Sequence, residues 1–297
     1  MTRERRHRGG PPVSESLREY GRGIAGGLIF SLPLIYTMEM WWAGISVRPE
    51  RLIVYVLVTF VLLLGYNRYV GLRRDDSWIE VGIDSIEEMG LGLLISALML
   101  FLLGRLDADE GAHELIGKIV IEAMTVAVGV SVGTAQLGGW PRERNGGRVR
   151  EDTGMRGAGT AREARGAGWF YGQLVIAFCG AVLFAANIAP TEEIPMIAAH
   201  TTTWRLLGLS LLAVALGGLI LYYSGFTGAD RYVSHGGIAN ALVGSVITFA
   251  VALVASTLLL WFFGRFDGAG TALVASQVLV LAFVATLGAS AGRLLLQ

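Results

Sequence analysis

The chain has 297 residues, of which 53% are hydrophobic and 16% charged, with a formal net charge of +0 and one cysteine; its mean hydropathy is +0.56. Soluble domains carry about a quarter of their residues as charges, so this composition excludes a soluble globular chain and indicates a polytopic membrane protein. A lone Cys179 excludes an intrachain disulfide, and no Cys/His metal framework accompanies it.

Eight apolar runs approach the length with which an α-helix crosses roughly 30 Å of hydrocarbon. The first, Gly23 to Ile45, follows the basic tail 1–22. It is longer than a signal-peptide core and shows no small-residue cleavage site, so it reads as a retained helix. Within it, "LIYTMEMWW" places Glu39 about six residues, roughly 9 Å, below the outer interface. An ionised carboxylate there is costly without water, a cation or a donor. A snorkelling or helix-pinning acid is the plainer reading. Pro33 predicts a kink and a free carbonyl near Ile29.

The second run is Leu52 to Leu72, and the third is Ile83 to Leu103. Glu80, Asp84, Glu87 and Glu88 open the third at helical spacing, forming either an inner vestibule that concentrates cations or a stripe paired with Arg68, Arg73, Arg74 and later arginines. It ends in Gly104-Arg105-Leu106-Asp107, a motif expected to cap the helix, with Arg and Asp paired at the interface. The fourth run, Leu115 to Leu137, carries Glu122, either a specialised site or the partner of Lys118 one turn back, and Gly129 and Gly133 spaced for close packing.

An Arg- and Gly-rich linker, 138–168, reads as a flexible cytoplasmic segment attracted to anionic lipid headgroups. The fifth run, Trp169 to Ala189, leads into "NIAPTEEIP", where Pro190 and Pro195 flank Glu192 and Glu193 and predict an unwound stretch. Three further runs follow: Leu206 to Phe226, Ile238 to Phe263 and Leu273 to Leu294. Tryptophans 41, 42, 204 and 261 lie near run ends, as an aromatic belt does.

The segments flanking the linker resemble each other. At an offset of 160, "LLGRLDADEG" from Leu102 lies over "FFGRFDGAGT" from Phe262, and Ser85 and Ser96 fall on Ser245 and Ser256. At an offset of 154, Thr37 and Glu39 fall on Thr191 and Glu193. The 160 register gives Glu122 the counterpart Ala282. Four runs per half is an even number, so the halves enter from the same side. The expected fold is therefore all-α: a polytopic transmembrane bundle of about eight helices, as two parallel four-helix repeats at 23–137 and 169–297. Inner segments carry 18 Arg and Lys and outer loops 6, which places both termini in the cytoplasm.

Enzyme signatures are absent: the four histidines, 7, 113, 200 and 235, lack metal spacing, and no nucleophile elbow, phosphate loop or dinucleotide motif occurs in context. No catalytic residue, metal or cofactor is expected. The stretches "LPLIYTMEMWW" and "SIEEMGLGLLISALMLFLLGRLD", with the basic linker, resemble a family of uncharacterised bacterial multipass integral membrane proteins. The resemblance implies a bacterial inner membrane and two related halves, and carries over no site residues.

Two functions fit these residues. One is a proton- or cation-coupled transporter or channel using Glu39 and Glu193, with Glu192 beside them and Glu122 as a relay. The other is a scaffold or sensor that binds lipid or a partner through the linker. The expected partners are the bilayer, its anionic headgroups and protons or small cations, with no nucleic acid.

Overall fold

A computed structural model describes residues 13–69, 77–106, 109–137, 158–223 and 229–295. The described residues form ten α-helices and no strand. The first half contains α1 (Val13–Ile35), α2 (Met38–Ser46), α3 (Pro49–Tyr69), α4 (Trp78–Leu102) and α5 (Ala112–Leu137). The second contains α6 (Ala158–Ala185), α7 (Glu193–His200), α8 (Thr203–Tyr223), α9 (Ala229–Phe262) and α10 (Thr271–Leu295). The order long, short, long, long, long occurs in both halves.

Six of these helices are long and apolar enough to cross a membrane: α3, α4, α5, α8 and the apolar parts of α9 and α10. With every backbone bond satisfied inside the helix, such segments need no water. The expected first and fifth spans are not of this kind. The first is interrupted at Tyr36 and Thr37, between α1 and α2. In the fifth, the apolar part Phe170–Ala185 is short, and the chain turns through 186–192 before α7.

These interruptions have a common local cause. Thr37 is extended, and both its N–H and its Oγ1 bond the Leu34 carbonyl, at 2.9 and 2.8 Å. Trp41 Nε1 donates to the Ile35 carbonyl at 3.0 Å. In the second half, Thr191 N and Oγ1 bond the Ile188 carbonyl at 3.0 and 2.9 Å. Thr37 is the N-cap of α2, whereas Thr191 lies in the turn one residue before Glu192, the N-cap of α7; Glu39 and Glu193 both fall in the new helix's first turn, where its dipole favours an acid. Pro33 lies inside α1, three residues before the break, and Pro195 lies in the first turn of α7, where a missing N–H has no intrahelical role. Pro190 lies in the turn itself.

Helix α5 is the most enclosed: 78% of its apolar window is buried, against 17 to 44% in the other five spans. Close crossings are made by glycine, among them Gly44 of α2 against Gly117 of α5. A Cβ on Gly26 of α1 would lie 2.8 Å from the Gly129 carbonyl oxygen of α5 and against the Gly133 backbone; one on Gly180 of α6 would meet Gly288 and, at 3.0 Å, the Gly292 Cα of α10. The two crossings align Gly129 with Gly288 and Gly133 with Gly292, an offset of 159. At that spacing the position of α10 matched to Glu122 is Leu281, one residue from Ala282.

Helices α4 and α9 end alike. Gly104 and Gly264 have φ of 65° and 72°, a conformation that suits glycine. Arg105 N bonds Leu100 O at 2.8 Å and Gly104 N bonds Phe101 O at 3.0 Å; Arg265 to Leu260 and Gly264 to Trp261 repeat the pattern at 2.9 and 3.1 Å. Both are Schellman caps, as the Gly-Arg motif predicted. The expected Arg–Asp pairing within the motif is not what Asp267 does: it pairs with Arg51 of α3 at 2.8 Å, while Arg265 pairs with Glu192 at 2.6 Å. Asp107 lies outside the described residues, as do Arg73, Arg74 and linker residues 138–157.

Gly26→Leu forces side-chain atoms into α5 backbone and will lower stability by about 1–3 kcal/mol or more. Gly90→Ala, where a Cβ meets nothing within 4 Å, will be neutral or stabilising. Thermal melting of the two variants in detergent checks both.

Candidate functional site

Residues 121–133 of α5 are all buried, and Glu122 lies about 15 Å along the helix from Ala112. It is 0% exposed, and neither carboxylate oxygen has a hydrogen-bond partner among the described residues. The expected Lys118 partner is otherwise engaged. Lys118 turns toward the capped end of the bundle, pairs with Glu110 and donates to the Arg105 carbonyl at 3.2 Å. Its stem thereby stays in apolar surroundings while the ammonium meets an acid near the interface.

Antiparallel packing of α1 on α5, centred where Gly26 meets 129–133, brings the end of α1 at Ile35 level with Glu122, about nine residues along each helix. The break in the first helix therefore lies at the depth of the buried acid. Tyr55 of α3 is within electrostatic reach of Glu122, and its hydroxyl hydrogen-bonds Thr125 Oγ1 at 2.9 Å. The Tyr55 ring stacks on Phe262 of α9, with centroids 4.2 Å apart, which ties this polar group to the second half.

One turn from Glu122 toward the capped end, a cavity of about 190 Å³ is lined by Trp41, Trp42, Arg105, Glu110 and Lys118 among others. The Arg105 guanidinium stacks over the Trp41 ring at 4.0 Å. Toward the opposite end, Asn67 of α3 donates to Ser85 Oγ at 3.1 Å and Glu88 Oε2 at 2.8 Å, and accepts from Ser131 at 3.0 Å. A buried amide serving three partners holds α3, α4 and α5 together. This network was not anticipated; the signal was an asparagine after the apolar run "VLLLGY".

The remaining acids are dispersed. Glu39 is half-buried on α2, which packs on α5, whereas Glu193 is exposed on α7, which packs on α10. No hydrogen bond or ion pair joins the two among the described residues. Glu192 is taken up by Arg265, which also donates to the Pro190 carbonyl. The Glu193 carboxyl is held below its ordinary value, first by the Thr191 side chain, then by its own backbone N–H and by Arg265, against desolvation. Of the acidic stripe on α4, Glu80 is exposed and completes a capping box with Ser77, Glu87 is exposed, and Asp84 and Glu88 are half-buried. An apolar groove of about 710 Å³ lies between α3, α6 and α9 and has no titratable lining residue.

A family model described as "Putative integral membrane protein (DUF2391)" matches residues 19–296. The chain belongs to this family. The family description agrees with the all-helical bundle, and both identify a multipass integral membrane protein. No curated protein and no solved structure is detectably similar to the chain.

Asn67→Leu leaves Ser85, Ser131 and Glu88 without their shared partner and will cost about 1–3 kcal/mol, read as a lower melting temperature. The Arg51–Asp267 link carries a pH signature. Hydrogen bonding to Arg51 holds the Asp267 carboxyl below its ordinary value, against desolvation and with the charges of Arg51 and Arg48 assisting. Its stabilising contribution is therefore complete above the ordinary aspartate value of about 4 and fades as pH falls through the lower folded value. Melting curves from pH 7 to 3 will show Asp267→Asn and the unaltered chain converging at the acid end.

Proposed function

We propose that this protein is a proton-coupled transporter or channel of the bacterial inner membrane in which Glu122 is the group that takes up and releases the proton. The observation that supports this reading is a carboxyl group at mid-depth, fully buried, with neither oxygen bonded. In hydrocarbon such a group is tolerated when a proton or cation neutralises it, and intramembrane acids of this kind commonly mark ion pathways. The charged cavity one turn away, with Lys118 and Glu110 at its wall, supplies an approach from the capped end. The interrupted helix beside Glu122 supports movement at that depth, because broken helices are where transporters bind and gate.

In this reading the two halves are parallel repeats, the capped end faces away from the cytoplasm, and both termini are cytoplasmic, in keeping with the distribution of arginine. Glu39 and Glu193 start helices and carry no proton across. The repeat partner of Glu122 is Leu281, buried and apolar, so one half conducts and the other supports it.

Proteoliposomes enclosing a pH-sensitive dye, energised by a potassium diffusion potential, test the proposal. The unaltered chain will acidify the lumen well above empty liposomes; Glu122→Gln will fall to the empty-liposome rate, a loss of at least tenfold, and Glu39→Gln will stay within twofold of the unaltered chain. An unaltered chain no faster than empty vesicles, or equal rates with and without Glu122, would overturn the reading.

A further inference from the structure

The two halves do not meet through equivalent surfaces. The first half contributes α3 and α5, and the second contributes α6 and α9; α3 packs on α6 and α9. A twofold relation would require α8 to pack on α1 as α3 packs on α6, and among the described residues that pair is not formed to a comparable extent. The interface is therefore heterologous, with one surface of the first half meeting a different surface of the second. Each half must then retain one surface whose counterpart is already used inside the chain.

Some positions of the internal seam recur on the retained surfaces; the Gly172–Tyr69 contact does not, its counterparts being Arg18 and Tyr223. Inside the chain, Arg51 pairs with Asp267 and lies over Trp261 at 5.4 Å, and a Cβ on Gly65 would touch Val175 at 3.4 Å. Counterparts on α8 and α1, at an offset of 154, are Arg205 for Arg51, Leu219 for Gly65 and Gly21 for Val175. Arg205 is exposed and has no ion-pair partner among the described residues. Phe101, the counterpart of Trp261, is 67% exposed and Leu219 is 52% exposed, while a Cβ on Gly21 would meet nothing within 4 Å. Glycine against a larger side chain occurs in both pairs with the roles exchanged, so Leu219 fits the space beside Gly21 as Val175 fits that beside Gly65.

Lipid can cover any apolar face, but it does not account for an arginine and a small–large pair reproduced at the positions of the internal seam. With two repeats per chain, a heterologous ring must close on an even number greater than two. The smallest such ring has four repeats. We propose that the protein assembles with a second copy of itself, α8 of each copy packing on α1 and α4 of the other, to close a four-repeat ring about the membrane normal.

Gly21→Cys with Leu219→Cys in the full chain, oxidised in native membranes with copper phenanthroline, tests the contact; Cys179 is buried and serves as the unreactive background. The double variant will move to the mass of two chains on a non-reducing gel and stop there, while each single variant stays at one. A product confined to one chain, whether unlinked or internally linked, or a ladder beyond two, would overturn the proposal. Native mass spectrometry of the unsubstituted protein from lipid nanodiscs gives a reading independent of the cysteines: two copies are expected, and a single chain is the contrary result. Leu219→Trp will shift that mass to one chain with the melting temperature of the isolated chain unchanged; a mass that stays at two copies would equally count against the contact.

Discussion

In hydrocarbon there is no water to expel, so helices associate only as closely as their side chains allow. Here that limit is removed where glycine meets glycine, at Gly26 against Gly129 and Gly133 and at Gly180 against Gly288 and Gly292. Backbone contact seats α1 against α5 and α6 against α10, and these pairs form the spine of each half. With α1 fixed at that crossing, its break at Tyr36 and Thr37 falls level with Glu122. With α4 brought equally close at Gly92, where a Cβ would lie 2.6 Å from the Ala123 carbonyl, α5 is shut away and its acid with it.

Much of this was legible from residue order. Spans were marked by length, the close-packing role of Gly129 and Gly133 by their spacing, and the Gly-Arg caps by their recurrence. What escaped was whatever depends on backbone direction or on a partner remote in sequence. Hydropathy averages over Tyr36 and Thr37 and cannot register a two-residue break, so Glu39 read as a deep acid when it starts a short helix. Lys118 stands one turn from Glu122, and spacing alone could not reveal that Glu110 competes for it from the capped end. Apolar sequence matches itself in several registers, so the spacing of 159 at which the two glycine crossings align was not legible from residue order.

The halves share an order of elements and differ in chemistry. Where the first has Lys118, Glu122 and Asn67, the second has Gln277, Leu281 and Leu221. Asn67 gathers Ser85 and Ser131, whose counterparts Ser245 and Ser290 persist without it, Ser245 bonding the Val214 carbonyl instead. Among the described residues the buried charged groups, Lys118 and Glu122, thus belong to the first half, while the second buries neutral polar side chains such as Gln277 and Thr286. The second half contributes the Phe262 ring against Tyr55 and the charge of Asp267 against Arg51.

The three ion pairs described here, Arg51 with Asp267, Lys118 with Glu110 and Arg265 with Glu192, all lie at one end of the bundle, whereas the other end is joined by buried hydrogen bonds around Asn67. Mobile ions weaken exposed charge pairs over about 10 Å at 0.1 M ionic strength and leave buried amide contacts untouched. Brine on the capped side slackens the exposed Arg51–Asp267 joint between the halves, while the buried contacts of the Asn67 amide keep their grip.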